Sequence, residues 1–140
     1  MKLDRSAIGR LVPQSDAMCL LDGVSEWNAH SIICTAASAG PSHPLARGAA
    51  VPAIVACEYA AQAAAIHGAL AEASQLPRAG MLAKLMDIEL HARCFPQGEQ
   101  VRVEADMLSR VAQGCLYAFV VRAGDRPICN GRLMVAFAQS

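Results

Sequence analysis

The chain predicts an α+β fold in which one long central helix is wrapped by a curved antiparallel sheet, and three observations carry that reading. Residues 52–71 form an alanine-rich apolar run that opens at Pro52 and contains no further proline. After it come four segments that alternate or run apolar, separated by short Gly- and Pro-bearing turns. Before it lie two shorter apolar segments joined by Asn28, Ala29 and His30, which is a hairpin pattern.

The helix is the element that organises the rest. Pro suits the first helical turn, where its missing N–H is an unsatisfied donor in any case. Twenty helical residues would measure roughly 30 Å. The run is apolar nearly all round, so it is either a membrane span or the buried axis of a domain. Glu58, Gln62 and His67 lie inside it. An ionisable group in a bilayer is expensive, so the buried axis is the expected solution.

Bulk properties bound the remaining choices. At 140 residues one domain spanning 1–140 is expected, large enough to bury a core. Hydrophobic residues make up 54% and charged ones 17%, which argues against disorder. Twelve basic residues balance twelve acidic ones, so no net field favours nucleic acid. The first residues lack the apolar core of a signal peptide. Six cysteines are scattered without a CxxC, and they read as small core hydrophobes in a reducing, cytoplasmic compartment, with no metal site implied.

Element by element, residues 4–11 suit a short helix with Asp4 as N-cap. Residues 18–27 and 31–37 read as strands, and 40–48, with two Pro and two Gly, as loop. Residues 80–92 fit both the helical and the strand period, and the turns that follow favour strand. Strands are then expected at 100–108, 115–122 and 128–138, an antiparallel set curled by its natural twist.

The stretch SHPL…VPAIVACEYAAQAAAIHG resembles the active-site region of 3-hydroxyacyl-[acyl-carrier-protein] dehydratases of the hot-dog fold. A His-Pro loop, a Pro-started helix and Glu-x-x-x-Gln carry the likeness, and LVPQSDAMCLLDGV resembles the same family's N-terminal segment. The aryl-polyene branch is the nearest in pattern. Three departures stand out: Gln14 where the family often has His, Gly23 where it often has Arg, and Ala53 in place of Gly at the helix start.

The resemblance implies dehydration of 3-hydroxyacyl thioesters to trans-2-enoyl thioesters, without cofactor, on an acyl carrier protein bearing phosphopantetheine. It implies His43 and Glu58 as catalytic residues, with no metal. A neutral imidazole at position 43 is suited to take the C2 proton near pH 7. Glu58 lies in the most apolar segment, where burial would keep a carboxyl protonated and able to serve the leaving hydroxyl. Gln62, one turn on, would orient that carboxyl. The N–H groups of Ala53 and Ile54, at the positive end of the helix, would bind the thioester carbonyl.

In the resembling family the His and the acid come from different chains of a dimer, so a homodimer or higher oligomer, or a heterodimer with another hot-dog chain, is expected. Other residues carry plainer expectations. His67 falls on the opposite helical face from Glu58 and reads as structural or exposed. His30 and His91 carry no signal, while Trp27, Met81 and Met86 read as core or tunnel lining. Arg47, Arg78, Lys84 and Arg93 either rim the entrance or are ordinary solvated charges. Two other functions stay open: a hot-dog thioesterase using Glu58, and a non-catalytic hot-dog subunit that pairs with another dehydratase chain.

Overall fold

The computed structural model describes residues 2–9, 18–71 and 80–137. Gln14 and Arg78, which figured in the sequence reading, lie outside that set. Chain order gives a short strand β1 (Leu3–Asp4), helix α1 (Arg5–Gly9), strands β2 (Gly23–Trp27) and β3 (Ser31–Ala36), then helix α2 (Ala56–Ala71). Four long strands follow: β4 (Gly80–Leu90), β5 (Val101–Val111), β6 (Gly114–Ala123) and β7 (Arg126–Phe137). All belong to one antiparallel sheet, ordered β1-β2-β3-β5-β6-β7-β4.

The expected architecture is therefore present, and the ambiguous 80–92 segment is strand. Its place was not readable from the order of the chain. The β4 strand does not neighbour β3; the helix carries the chain to the far edge, where β4 pairs with β7. The register of β4 slips between Met86 and Glu89, with Asp87 in the left-handed region at φ 55°. Gly131 sits opposite, where a Cβ would come within 2.5 Å of Ile88 Cδ1. That bulge and that missing side chain let the edge strand bend over its neighbour.

The N-terminal helix starts as expected, with Asp4 Oδ1 accepting from the Ala7 N–H at 2.9 Å. The 18–27 strand is shorter than expected and begins only at Gly23. The backbone of 19–21 finds side-chain partners in place of a neighbouring strand. Arg5 donates to the carbonyls of Leu21 (3.1 Å) and Cys19 (2.7 Å), and the Leu20 N–H donates to Gln62 Oε1 (2.9 Å). Position 23 is also tight, with Leu3 O 3.2 Å from where a Cβ would stand. An arginine there would crowd β1.

Preceded by a single 3-10 turn at Ala53–Val55, α2 is enclosed: thirteen of its sixteen residues are buried, leaving only Glu58, Leu70 and Ala71 partly exposed. Residues 53–71 are long and apolar enough to cross a membrane by composition, yet the sheet and loops cover them. Alanine makes this enclosure possible, because its short side chain lets strands and loops approach the helix backbone closely. Five cysteines are buried as expected; Cys94 is exposed.

His67 is a buried fastener. Its Nδ1 lies 2.6 Å from the Tyr117 hydroxyl and its Nε2 2.8 Å from the Asn28 carbonyl. A carbonyl only accepts, so Nε2 carries the hydrogen and Tyr117 donates to Nδ1. The ring thus ties α2 to β6 and to the β2–β3 turn.

Two outcomes are expected from this packing. Ala64→Leu inserts three carbons against a fully buried position and should cost about 1–3 kcal/mol in urea unfolding. Burial pulls the His67 pKa below its ordinary 6.5; Arg110 and His30 add to that lowering, while the Asn28 hydrogen bond and Asp106 oppose it. A folded-state pKa below the unfolded one stabilises the protein fully above about pH 6.5 and loses that contribution as pH falls through and below it. Melting temperature should therefore drop from pH 7.5 to 5.5, and His67→Gln should flatten that slope.

Candidate active site

The candidate residues come from two places: the loop after β3 and the first turns of α2. His43 stands in the loop, inside a turn closed by its own backbone, with its N–H on the Gly40 carbonyl (3.0 Å) and its carbonyl accepting from the Ala46 N–H (3.0 Å). The imidazole is half-buried and lies against Tyr59 of α2, with ring centroids 5.9 Å apart. Tyr59 in turn packs on Phe95 at 5.5 Å.

The hydrogen bonds of His43 settle where its proton is. The Leu45 backbone N–H donates to Nδ1 at 3.0 Å. An amide N–H has nothing to accept with, so Nδ1 carries no hydrogen. Burial lowers the pKa of the ring from its ordinary 6.5, which keeps it neutral near pH 7. The one hydrogen of the neutral ring is then on Nε2, 3.0 Å from Tyr59 Oη. Thus Nε2 donates and the tyrosine oxygen accepts. The sequence reading made His43 the base; in this arrangement its outward nitrogen already holds a proton.

Tyr59 was not singled out by sequence, because an aromatic in an apolar helix reads as core. It is indeed buried, at 1% exposure. Burial, and secondarily the Asp22 carboxylate, push its pKa up to about 12, so it stays a neutral phenol. A cavity of about 170 Å³ opens beside the pair, lined in part by Arg5, Asp22, Ser38, His43 and Tyr59. Asp22 is held on both oxygens, Oδ1 by Arg5 at 2.8 Å and Oδ2 by the Ala37 N–H at 2.7 Å. A larger hollow of about 240 Å³ lies at the β2–β3 hairpin beside Trp27, and no candidate residue lines it.

Glu58 immediately precedes Tyr59 in the chain but does not line the His43 cavity. It is half-buried, not enclosed. As expected from the spacing, Gln62 reaches it, with Nε2 donating to Glu58 Oε1 at 3.1 Å. That same amide donates to the Met18 carbonyl (2.7 Å) and accepts the Leu20 N–H (2.9 Å). Gln62 is therefore a junction between the carboxylate and the N-terminal segment, fully used by protein partners.

One expectation is overturned. The Ala53 N–H is not free for a thioester carbonyl: it donates to the Arg93 carbonyl at 2.8 Å, beside the bridge between Pro52 and Cys94. Ala53 itself is 1% exposed. The segment after β4 folds back over the helix start and takes the donor. Ile54, in contrast, is exposed, and its N–H sits in the first turn, which has no intrahelical acceptor. Arg47, Lys84 and Arg93 are exposed, as either reading of them requires. Among the described residues no cluster of His, Cys, Asp and Glu has the makings of a metal site.

A long helix enclosed by an antiparallel sheet, seven-stranded among the described residues, defines a hot-dog protein. Solved structures share that fold. One chain of the dehydratase heterocomplex ApeI:P from Xenorhabdus doucetiae superposes with a TM-score of 0.84 at 19% identity, over 95% of this chain and 91% of that one. AziG from S. sahachiroi gives 0.69 at 11% identity, over 94% and 100% of the two chains. A hypothetical thioesterase with coenzyme A from Streptococcus pneumoniae gives 0.63 at 8%, over 84% and 85%. No curated protein sequence matches the chain. Residues 6–139 match the ApeP-like family, described as ApeP dehydratase, and the chain belongs to that family.

Gln62→Leu tests the junction. Removing the amide leaves the buried Leu20 N–H and the Met18 carbonyl unpaired, so the variant should lose about 1–3 kcal/mol in chemical unfolding.

Proposed function

We propose that the chain dehydrates 3-hydroxyacyl thioesters to trans-2-enoyl thioesters, with the acyl chain carried on the phosphopantetheine of an acyl carrier protein. The observation that carries this reading is the His43–Tyr59 pair at the wall of a cavity, in a chain of a dehydratase family. Water elimination needs a group to take the C2 proton, a donor at the carbonyl oxygen, and a proton for the departing hydroxyl. His43 and Glu58 are the two residues on which that chemistry rests, and Gln62 orients the second.

The cavity favours assembly with a second hot-dog chain. At about 170 Å³ it is smaller than the roughly 300 Å³ and upward that ligand pockets usually offer, and Glu58 lies outside it. A site completed across an interface supplies both the missing wall and an acid. The edge of the sheet suits such pairing: β4 is eleven residues long, pairs among the described strands with β7 alone, and carries the exposed Leu82, Leu85 and Leu90. The partner is a second copy or a different hot-dog chain, and the heterocomplex of the X. doucetiae protein supports the latter as a second reading. The five buried thiols of this chain, all free, suit a reducing cytoplasm.

Incubating the purified protein, alone and with a co-expressed hot-dog partner, with a 3-hydroxyacyl carrier protein should produce the conjugated enoyl thioester. His43→Ala and Glu58→Gln should each lower kcat by about 10²–10⁴-fold. Full turnover in both variants would refute the assignment, and activity only in the presence of the other chain would establish the subunit reading.

A further inference from the structure

Within the dehydratase reading, on which this step rests, we propose that Asp22 is a positioning residue of the site. Its carboxylate, oriented by Arg5, anchors the root of the loop that brings His43 to the cavity. The place to look is where the sheet opens. The β2–β3 ladder ends at Gly23 opposite Thr35, and beyond it side chains take over from strand pairing. The Asp22 N–H donates to the Thr35 carbonyl at 2.9 Å, and Asp22 Oδ2 accepts the Ala37 N–H at 2.7 Å. One residue thus holds the end of β3 on both sides of Ala36. The two segments that separate there line the cavity with His43: Cys19, Leu20 and Asp22 on one, Ala37 and Ser38 on the other.

Two observations distinguish this anchor from an ordinary surface carboxylate. The segment that carries Asp22 is fixed from two directions. Arg5 donates to the Cys19 and Leu21 carbonyls as well as to Asp22 Oδ1, and Gln62 accepts the Leu20 N–H. The turn that carries His43, by contrast, closes on itself, with the His43 N–H on the Gly40 carbonyl and the Ala46 N–H on the His43 carbonyl. A self-closed turn moves as a unit, so its placement is set at its ends and by what the imidazole touches. At the far end Gln97 donates to the Ala49 carbonyl (2.8 Å) and the Phe95 N–H to the Val51 carbonyl (2.9 Å). At the near end the bond is that of Ala37 to Asp22.

Asp22 therefore acts through His43 and not on the substrate. A displacement of about 1 Å in a reacting group can cost on the order of 10²-fold in rate, and that is the lever this anchor works. The charge of the carboxylate is secondary, because Arg5 lies against it and the two side chains are 46% and 45% exposed. What counts is an acceptor for the Ala37 N–H, held at a fixed place.

The test uses the full-length protein, in the assembly that turns over, and a 3-hydroxyacyl carrier protein. Asp22→Ala removes the acceptor and should lower kcat about 10–10²-fold with KM changed far less. Asp22→Asn loses the charge but keeps an oxygen for Ala37, and should retain most of the activity. In a His43→Ala background, Asp22→Ala should cost nothing further, since a residue that acts through another has no effect once that one is gone. Melting temperatures of both Asp22 variants should fall by roughly 5 °C or less, because the bonds removed are exposed. With no substrate present, ¹⁵N-histidine spectra should show the His43 resonances displaced in Asp22→Ala. Those of His67, held by Tyr117 and Asn28, should stay in place. Undiminished kcat in Asp22→Ala, equal losses in Asp22→Asn and Asp22→Ala, the same loss with or without His43, a much larger fall in melting temperature, or unmoved His43 resonances would each overturn the proposal. Displaced His43 resonances in a protein that dehydrates no 3-hydroxyacyl thioester would instead keep the anchor and remove the dehydratase reading.

Discussion

Enclosing a helix inside a sheet leaves each polar side chain on that helix with a partner to find, because a buried polar group without one is costly. In this protein that constraint joins the parts of the molecule. Gln62 satisfies itself on Met18, Leu20 and Glu58, and so pins the segment before β2. His67 reaches Tyr117 and Asn28, and so pins the sheet and the hairpin turn. Tyr59 reaches His43, and so pins the loop after β3. The three residues lie on one helix, and each fastens a different layer to it.

The same constraint shapes the site. A tyrosine that must be satisfied in the apolar interior draws a histidine down from the loop, and the loop's own backbone fixes that histidine from the other side. The result is a histidine whose tautomer is dictated by an amide it cannot rotate. Where backbone groups decide the direction of a hydrogen-bond chain, the chemistry of the side chains follows from the fold more than from their intrinsic basicity. The Glu58 carboxylate, by contrast, sits half-buried at the flank of the helix, where the Gln62 amide donates to it. Its position suits a site closed by a second chain.

Much of the architecture was legible from local patterns. The Pro52 start, the unbroken alanine run and the turn-separated apolar segments are short-range signals, and the helix and the strands follow them. The pairing of Glu58 with Gln62 also follows from helical spacing alone. Other features were not legible, since they depend on residues far apart in the chain. The shortened start of β2 reflects Arg5 and Gln62 taking backbone partners that a strand would otherwise need. The loss of the Ala53 donor reflects the Arg93 carbonyl, forty residues away. Tyr59 looked like core, and its contact with His43 could not be read from sequence because the loop and the helix meet only after folding.

By itself, then, the sequence determined the kinds of element and their order, and it supplied the candidates for proton chemistry, because periodicity and residue type act over a few positions. Only the tertiary structure decided which strand closes the sheet, which amide at the helix start is occupied, and which nitrogen of His43 holds the hydrogen. Those outcomes are set by directional hydrogen bonds between segments that meet only after folding, and no local pattern encodes the direction in which such a bond will point.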